Sequence, residues 1–146
     1  MTTMKMTDCE AMDIYREALD AGHTALQACR PTPMVVQEHE NMLDDNSPVK
    51  HAWFVGDGVC GFAWVNFKCV GVAAQWIRSL KRNGIAGGEN DRGGNITINH
   101  DSYRHCYSFW VHEGNQSMQK KEVFAKAFAG VLQKHGIVCH TGSRMD

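Results

Sequence analysis

The sequence predicts a single α+β domain over residues 1–146, with an N-terminal helix at about 8–29, a β-hairpin, and a split βαβ core at about 51–142. Three observations predict it. From Cys60 onward the hydrophobic pattern runs strand, helix, strand, strand, helix, strand, which is the ferredoxin-like plan with an antiparallel sheet. Two helical segments end alike, on Asn83-Gly84-Ile85 and on His135-Gly136-Ile137, each just before a strand. The length of 146 residues, with 43% hydrophobic and 21% charged residues, fits one hydrophobic core rather than two.

Each element has a local cause. Thr7-Asp8-Cys9-Glu10 has the form of a capping box, and Ala11, Tyr15, Ala18, Leu19, Gly22, Ala25, Leu26 and Cys29 recur at helical spacing behind it. Pro31-Thr32-Pro33 stops this helix, and Met34 to Gln37 reads as a short edge strand. Glu38 to Lys50 is acidic and polar, the composition of a surface loop. His51 to Val55 and Val59 to Phe67 flank Gly56-Asp57-Gly58, which predicts that these two runs pair as a hairpin. Ala73, Trp76, Ile77 and Leu80 form the apolar stripe of a helix over about 70–83, with Gln75, Arg78, Lys81 and Arg82 on its outer side. Ile85 can then fold back on Leu80 beyond Gly84, a Schellman ending. The glycine-rich stretch Gly84 to Gly94 reads as a flexible connection, since it lacks the Lys-Ser/Thr pair of a phosphate loop and carries Glu89 and Asp91. Asn95 to Asn99 and Tyr107 to His112 read as strands. Asn115 or Ser117 caps the last helix, whose stripe is Phe124, Phe128, Val131, Leu132 and His135.

The octapeptide Cys60-Gly61-Phe62-Ala63-Trp64-Val65-Asn66-Phe67 is the most informative stretch. As a strand it places Phe62, Trp64 and Asn66 on one face and Gly61, Ala63, Val65 and Phe67 on the other. Both faces are apolar. The two core helices cover one of them, so the N-terminal helix or a partner is expected on the second. The octapeptide also resembles the RNP1 signature of the RNA-recognition motif, with Cys60 in place of the basic residue and Trp64 in place of Phe or Tyr. That resemblance implies base stacking, but RNP1 belongs on the third strand of its motif and this run precedes the first core helix. With 15 basic and 16 acidic residues and a formal charge of −1, no global basic field favours nucleic acid.

Chemistry-bearing constellations are sparse. Cysteines at 9, 29, 60, 69, 106 and 139 show no C-x-x-C spacing and read as free buried thiols of a reducing compartment. His105, Cys106, His112, Cys139 and His140 would have to converge to bind zinc, and Cys139 and His140 point to opposite sides of a strand. No metal or cofactor is expected. No spacing selects a nucleophile with its base, Cys60 with a histidine included. Asn115, Gln116, Ser117 and Arg144 are polar candidates for a ligand or partner surface, although a helix cap accounts for the first group and a fraying terminus for the second. The opening segment shows no secretion signal, and no run approaches membrane-spanning length.

Across Pro31 to Val36, Asp57 to Val65, Asn115 to Leu132 and Gly142 to Asp146 the chain resembles a family of small uncharacterised proteins encoded by tailed bacteriophages. The resemblance implies a phage origin, placed in the cytoplasm of the infected bacterium or in the virion. Together with the missing catalytic constellation, it makes a non-enzymatic protein acting through a protein partner or a homo-oligomer the leading expectation. The alternative is a nucleic-acid or nucleotide binder that stacks bases on Phe62, Trp64 and Trp110 and holds phosphate with Arg78, Arg82, Arg92 or Arg144. A small Cys/His metal protein or enzyme comes third.

Overall fold

In the computed structural model, residues 6–41, 43, 46–55, 58–88, 96–114 and 117–146 are described. The elements in chain order are α1 (Asp8–Ala28), β1 (Met34–His39), β2 (Val49–Val55), β3 (Gly61–Phe67), α2 (Val72–Arg82), β4 (Ala86–Gly87), β5 (Ile98–Asp101), β6 (Cys106–Trp110), α3 (Met118–Lys134) and β7 (Cys139–Met145). Five strands form one sheet in the order β4-β5-β6-β3-β7. All of its pairings are antiparallel except the short β4·β5 contact. This is an open, mixed sheet in an α+β domain.

The helix ends obey the local chemistry of the sequence. The Thr7 hydroxyl accepts the Glu10 N–H at 3.1 Å, and the Ser117 hydroxyl accepts that of Lys120 at 3.3 Å. Gly84 (φ 74°) and Gly136 (φ 83°) take the left-handed conformation that ends α2 and α3. The Ile85 N–H then reaches the Leu80 carbonyl and the Ile137 N–H that of Leu132, both at 2.9 Å. The two Schellman endings are the same device used twice, and each turns the chain back toward the sheet.

Packing places all three helices on one side. Phe109 of β6 stacks on Phe128 of α3 with ring centroids 4.3 Å apart, and Phe67 of β3 meets Trp76 of α2 edge-on at 5.5 Å. α1 lies on the other two helices rather than on the sheet. Its Tyr15 meets Phe128 at 6.3 Å, its Ala11 carbonyl accepts the Trp76 Nε1–H at 3.0 Å, and Gly22 faces the ring of Phe124. The Tyr15 hydroxyl, 2.7 Å from the Thr97 hydroxyl, pins this layer to the start of β5. Burial pushes the Tyr15 phenol pKa up, the Thr97 bond opposes it, and the Glu113 carboxylate adds to it.

A Cβ at Gly22 would stand 2.8 Å from Phe124 ring atoms. Helix propensity alone predicts that Gly22→Ala stabilises α1 by up to about 1 kcal/mol. The expected result is instead a net loss of roughly 1–2 kcal/mol, because the fully buried Phe124 ring is packed beside Phe109, Phe128 and His23 and has little room to withdraw. Thermal unfolding of the variant checks the sign.

The C-terminus of α3 is tied to α1 through Glu17, which bonds Lys134 Nζ at 2.9 Å and His135 Nε2 at 3.2 Å. These two bonds hold the Glu17 carboxyl below its ordinary pKa. A depressed carboxylate contributes stability above its unfolded pKa of about 4.3 and loses it as pH falls through the folded value. The urea midpoint is therefore expected to drop on acidification below about pH 4.3, and Glu17→Gln should flatten that part of the curve.

Several sequence expectations are corrected. Val49–Val55 pairs with Met34–His39 in a separate two-stranded sheet, and not with the octapeptide across Gly56-Asp57-Gly58. The polar stretch 38–50 thus supplies the ends of both strands as well as their connection. Residues 142–145 do not fray but continue β7, paired with β3 from Phe67↔Cys139 to Gly61↔Met145. Ala86 and Gly87 form a short edge strand inside what reads as a loop, and the second half of that loop lies outside the described residues. Only Cys106 and Cys139 are buried thiols; Cys9, Cys60 and Cys69 are exposed, and all six are free. Finally, α1 does not cover the Phe62 and Trp64 face.

Candidate functional site

Strand alternation and register decide what the second face of the sheet carries. Trp64 pairs with Trp110, Asn66 with Ser108, and on the other side Phe62 with Arg144, Trp64 with Gly142 and Asn66 with His140. These residues project away from Val65, Phe67 and Phe109, which are buried under the helices. Among the described residues no helix lies across this face. Phe62 and Trp64 are half-buried, and Trp110 is 42% exposed.

The three rings form a cluster on the two central strands. Trp64 and Trp110 lie 5.1 Å apart at 33°, and Phe62 meets Trp110 at 6.0 Å and 66°. A Cβ at position 142 would stand 2.5 Å from Trp64 Nε1. Glycine there lets the indole lie flat across β7, so its ring face is turned outward. Below the rings the Ser108 hydroxyl donates to the Asn66 side-chain oxygen at 2.6 Å, a buried bond that fixes the register of the two strands.

Cations stand over two of these rings, Trp64 and Phe62. The Arg104 guanidinium is 5.7 Å from the Trp64 centroid, and that of Arg144 is 5.4 Å from Phe62. Lys121, only 8% exposed at the start of α3, brings its ammonium to 5.3 Å from Phe62 at the end of the strand. Arg104 is delivered by the turn between β5 and β6. Asp101 opens this turn by accepting the N–H groups of Tyr103 at 3.1 Å and Arg104 at 3.2 Å, and His105 closes it at φ 53°. A cleft of about 170 Å³ results, lined by Trp64, Asp101, Arg104, Ser108, Trp110 and Arg144. A chain of net charge −1 thus gathers a local excess of positive charge around exposed aromatic faces.

The candidates named from sequence fall into separate groups. Phe62, Trp64, Trp110 and Arg144 come together on this face. Arg78 and Arg82 lie in the helix layer, where Arg82 bonds Asp8 at 2.7 Å. Ser117 is 1% exposed and occupied as the α3 cap. Asn115, Gln116 and Arg92 lie outside the described residues. Arg104 and Asp101 were missed, and Asp-Ser-Tyr-Arg-His between two strands is the turn signal that points to them.

The Cys/His set does not assemble. Cys139 is buried on the helix side with its thiol toward the Ala129 carbonyl, while His140 is exposed on the far side of the strand. Burial pushes the Cys139 thiol up to about 11, against the effect of Gln133. Among the described residues no group of three or more His, Cys, Asp or Glu side chains is placed to hold a metal ion. Nor is any helix among them long and apolar enough to cross a membrane.

Compared with family models, curated proteins and solved structures, the chain matches none.

Proposed function

We propose that the open face of the sheet binds single-stranded nucleic acid, stacking bases on Trp64, Trp110 and Phe62 and holding phosphates with Arg104 and Arg144. The observation that carries the reading is a cluster of three aromatic rings on an uncovered sheet face, two of which, Trp64 and Phe62, carry an arginine over the ring. Exposed aromatics alone fit many partners; aromatics interleaved with arginines fit a ligand with π-faces and anionic groups in alternation. The connectivity β3-α2-β5-β6-α3-β7 supports a ferredoxin-like core, with β4 added at the edge. In that plan the first and third core strands are neighbours, as β3 and β6 are here. The RNP1-like run therefore stands on the first strand and Trp110 on the third, an exchange that still sets the rings side by side.

Titrating tryptophan fluorescence with eight-nucleotide RNA and DNA at low ionic strength tests the proposal. Binding is expected to quench Trp64 and Trp110 and to weaken as salt rises. No change at low salt would exclude this face as a nucleic-acid platform.

A second reading keeps the protein-partner expectation and the phage setting. It is favoured by a groove of about 520 Å³ lined by Thr32, Pro33, Val59, Met118, Gln119 and Glu122, which shares no lining residue with the cleft beside Trp64 and Trp110. Capture of one partner protein from infected cells, lost on Met118→Asp, would support it.

A further inference from the structure

We infer that the cleft between Trp64, Trp110 and the β5–β6 turn selects guanine, an inference that rests on reading the open face as a nucleic-acid platform. At about 170 Å³ the cleft is well below the roughly 300–1,000 Å³ of pockets for drug-sized ligands, so it takes one flat group rather than a whole nucleotide. Trp64 and Trp110 supply its apolar walls. The polar lining is divided by sign: the Asp101 carboxylate can only accept hydrogen bonds, whereas Arg104 and Arg144 can only donate them.

A base that satisfies both must present donors on one edge and acceptors on another. Guanine does so, with N1–H and N2–H2 for a carboxylate and O6 and N7 for a guanidinium. Adenine and cytosine offer one exocyclic amine beside an acceptor nitrogen, which a carboxylate repels. Uracil offers a single N–H between two carbonyl oxygens. The carboxylate is held in position before any ligand arrives, because its Oδ1 caps the turn through the Tyr103 and Arg104 N–H groups. Its Oδ2 lies 3.9 Å from Arg104 Nε, too far for a hydrogen bond. Arg104 therefore stands beside both the ring face and the carboxylate, and a guanine edge can enter between them as the guanidinium swings toward O6, N7 or a phosphate.

The test measures fluorescence anisotropy of oligouridine eight-mers carrying one central G, A or C, against the all-U oligomer, with the wild-type protein and Asp101→Asn. Asparagine keeps an oxygen to cap the turn but puts a donor where the second acceptor stood. The wild type is expected to bind the G oligomer roughly 10- to 100-fold more tightly than the others. In Asp101→Asn the four affinities should converge. Equal affinities in the wild type would overturn the guanine inference and leave the platform standing. A guanine preference that survives Asp101→Asn would overturn the role given to this cleft. No binding of any oligomer would remove both readings, and the wild-type ratio decides the preference even if the variant folds poorly.

Discussion

Phe128→Ala is expected to lower the unfolding free energy by about 3–5 kcal/mol, the range for a fully buried phenylalanine whose cavity cannot collapse. The reason lies in where the ring sits. It stacks on Phe109 of the sheet at 4.3 Å, touches Phe124 within α3 at 6.5 Å and meets Tyr15 of α1 edge-on at 6.3 Å. One side chain thus joins three layers, and none of its neighbours can fill the void alone. Phe109 and Phe124 are themselves buried, one in the sheet and one in α3, with nearly parallel rings 6.2 Å apart, so relaxation would have to move a strand or a helix. Against a typical total of about 5–15 kcal/mol the loss is a large fraction of the stability. With a urea m value of about 1–3 kcal/mol/M it appears as a midpoint shift of roughly 2 M. Lys126→Ala, at an exposed position of the same helix, should stay within about 0.5 kcal/mol and serves as the control.

What could be read in the sequence was what short-range chemistry dictates. The Thr7 and Ser117 caps, the two Gly-Ile endings and the two faces of the octapeptide depend on residues within one turn or one strand of each other. Strand partners were less legible. Gly56-Asp57-Gly58 has hairpin chemistry, yet Val49–Val55 pairs back to Met34–His39, because register is settled by competing partners that no local pattern ranks. The C-terminal segment failed for a related reason. Gly142 and Ser143 look like a loose end, but the small residue at 142 is what the Trp64 indole requires beneath it. The rings of the site were visible and their company was not. Arg78 and Arg82 follow the octapeptide in sequence but turn into the helix layer, whereas Arg104 arrives from a turn forty residues away from Trp64.

Replacing both Trp64 and Trp110 by alanine is expected to weaken single-strand binding by at least about 30-fold, since each stacked base contributes roughly 1–3 kcal/mol. The effect on folding should be smaller than that of Phe128→Ala, because the two indoles are only partly buried. Trp64→Phe with Trp110→Phe keeps the ring faces and should restore most of the affinity, an outcome that a mere loss of packing would not give. Arg104→Gln and Arg144→Gln act on a different quantity. Each phosphate contact removed should flatten the dependence of log K on log salt by about 0.7 for a single strand, so the pair is expected to reduce the slope by about 1.4. The aromatic variants, which touch no phosphate, should displace the salt plot without tilting it. Because the chain as a whole has a charge of −1, little long-range attraction exists to mask either effect. A parallel shift from the rings and a change of slope from the arginines would together locate the strand on this face. A slope left intact in the double arginine variant would mean that phosphates are held elsewhere.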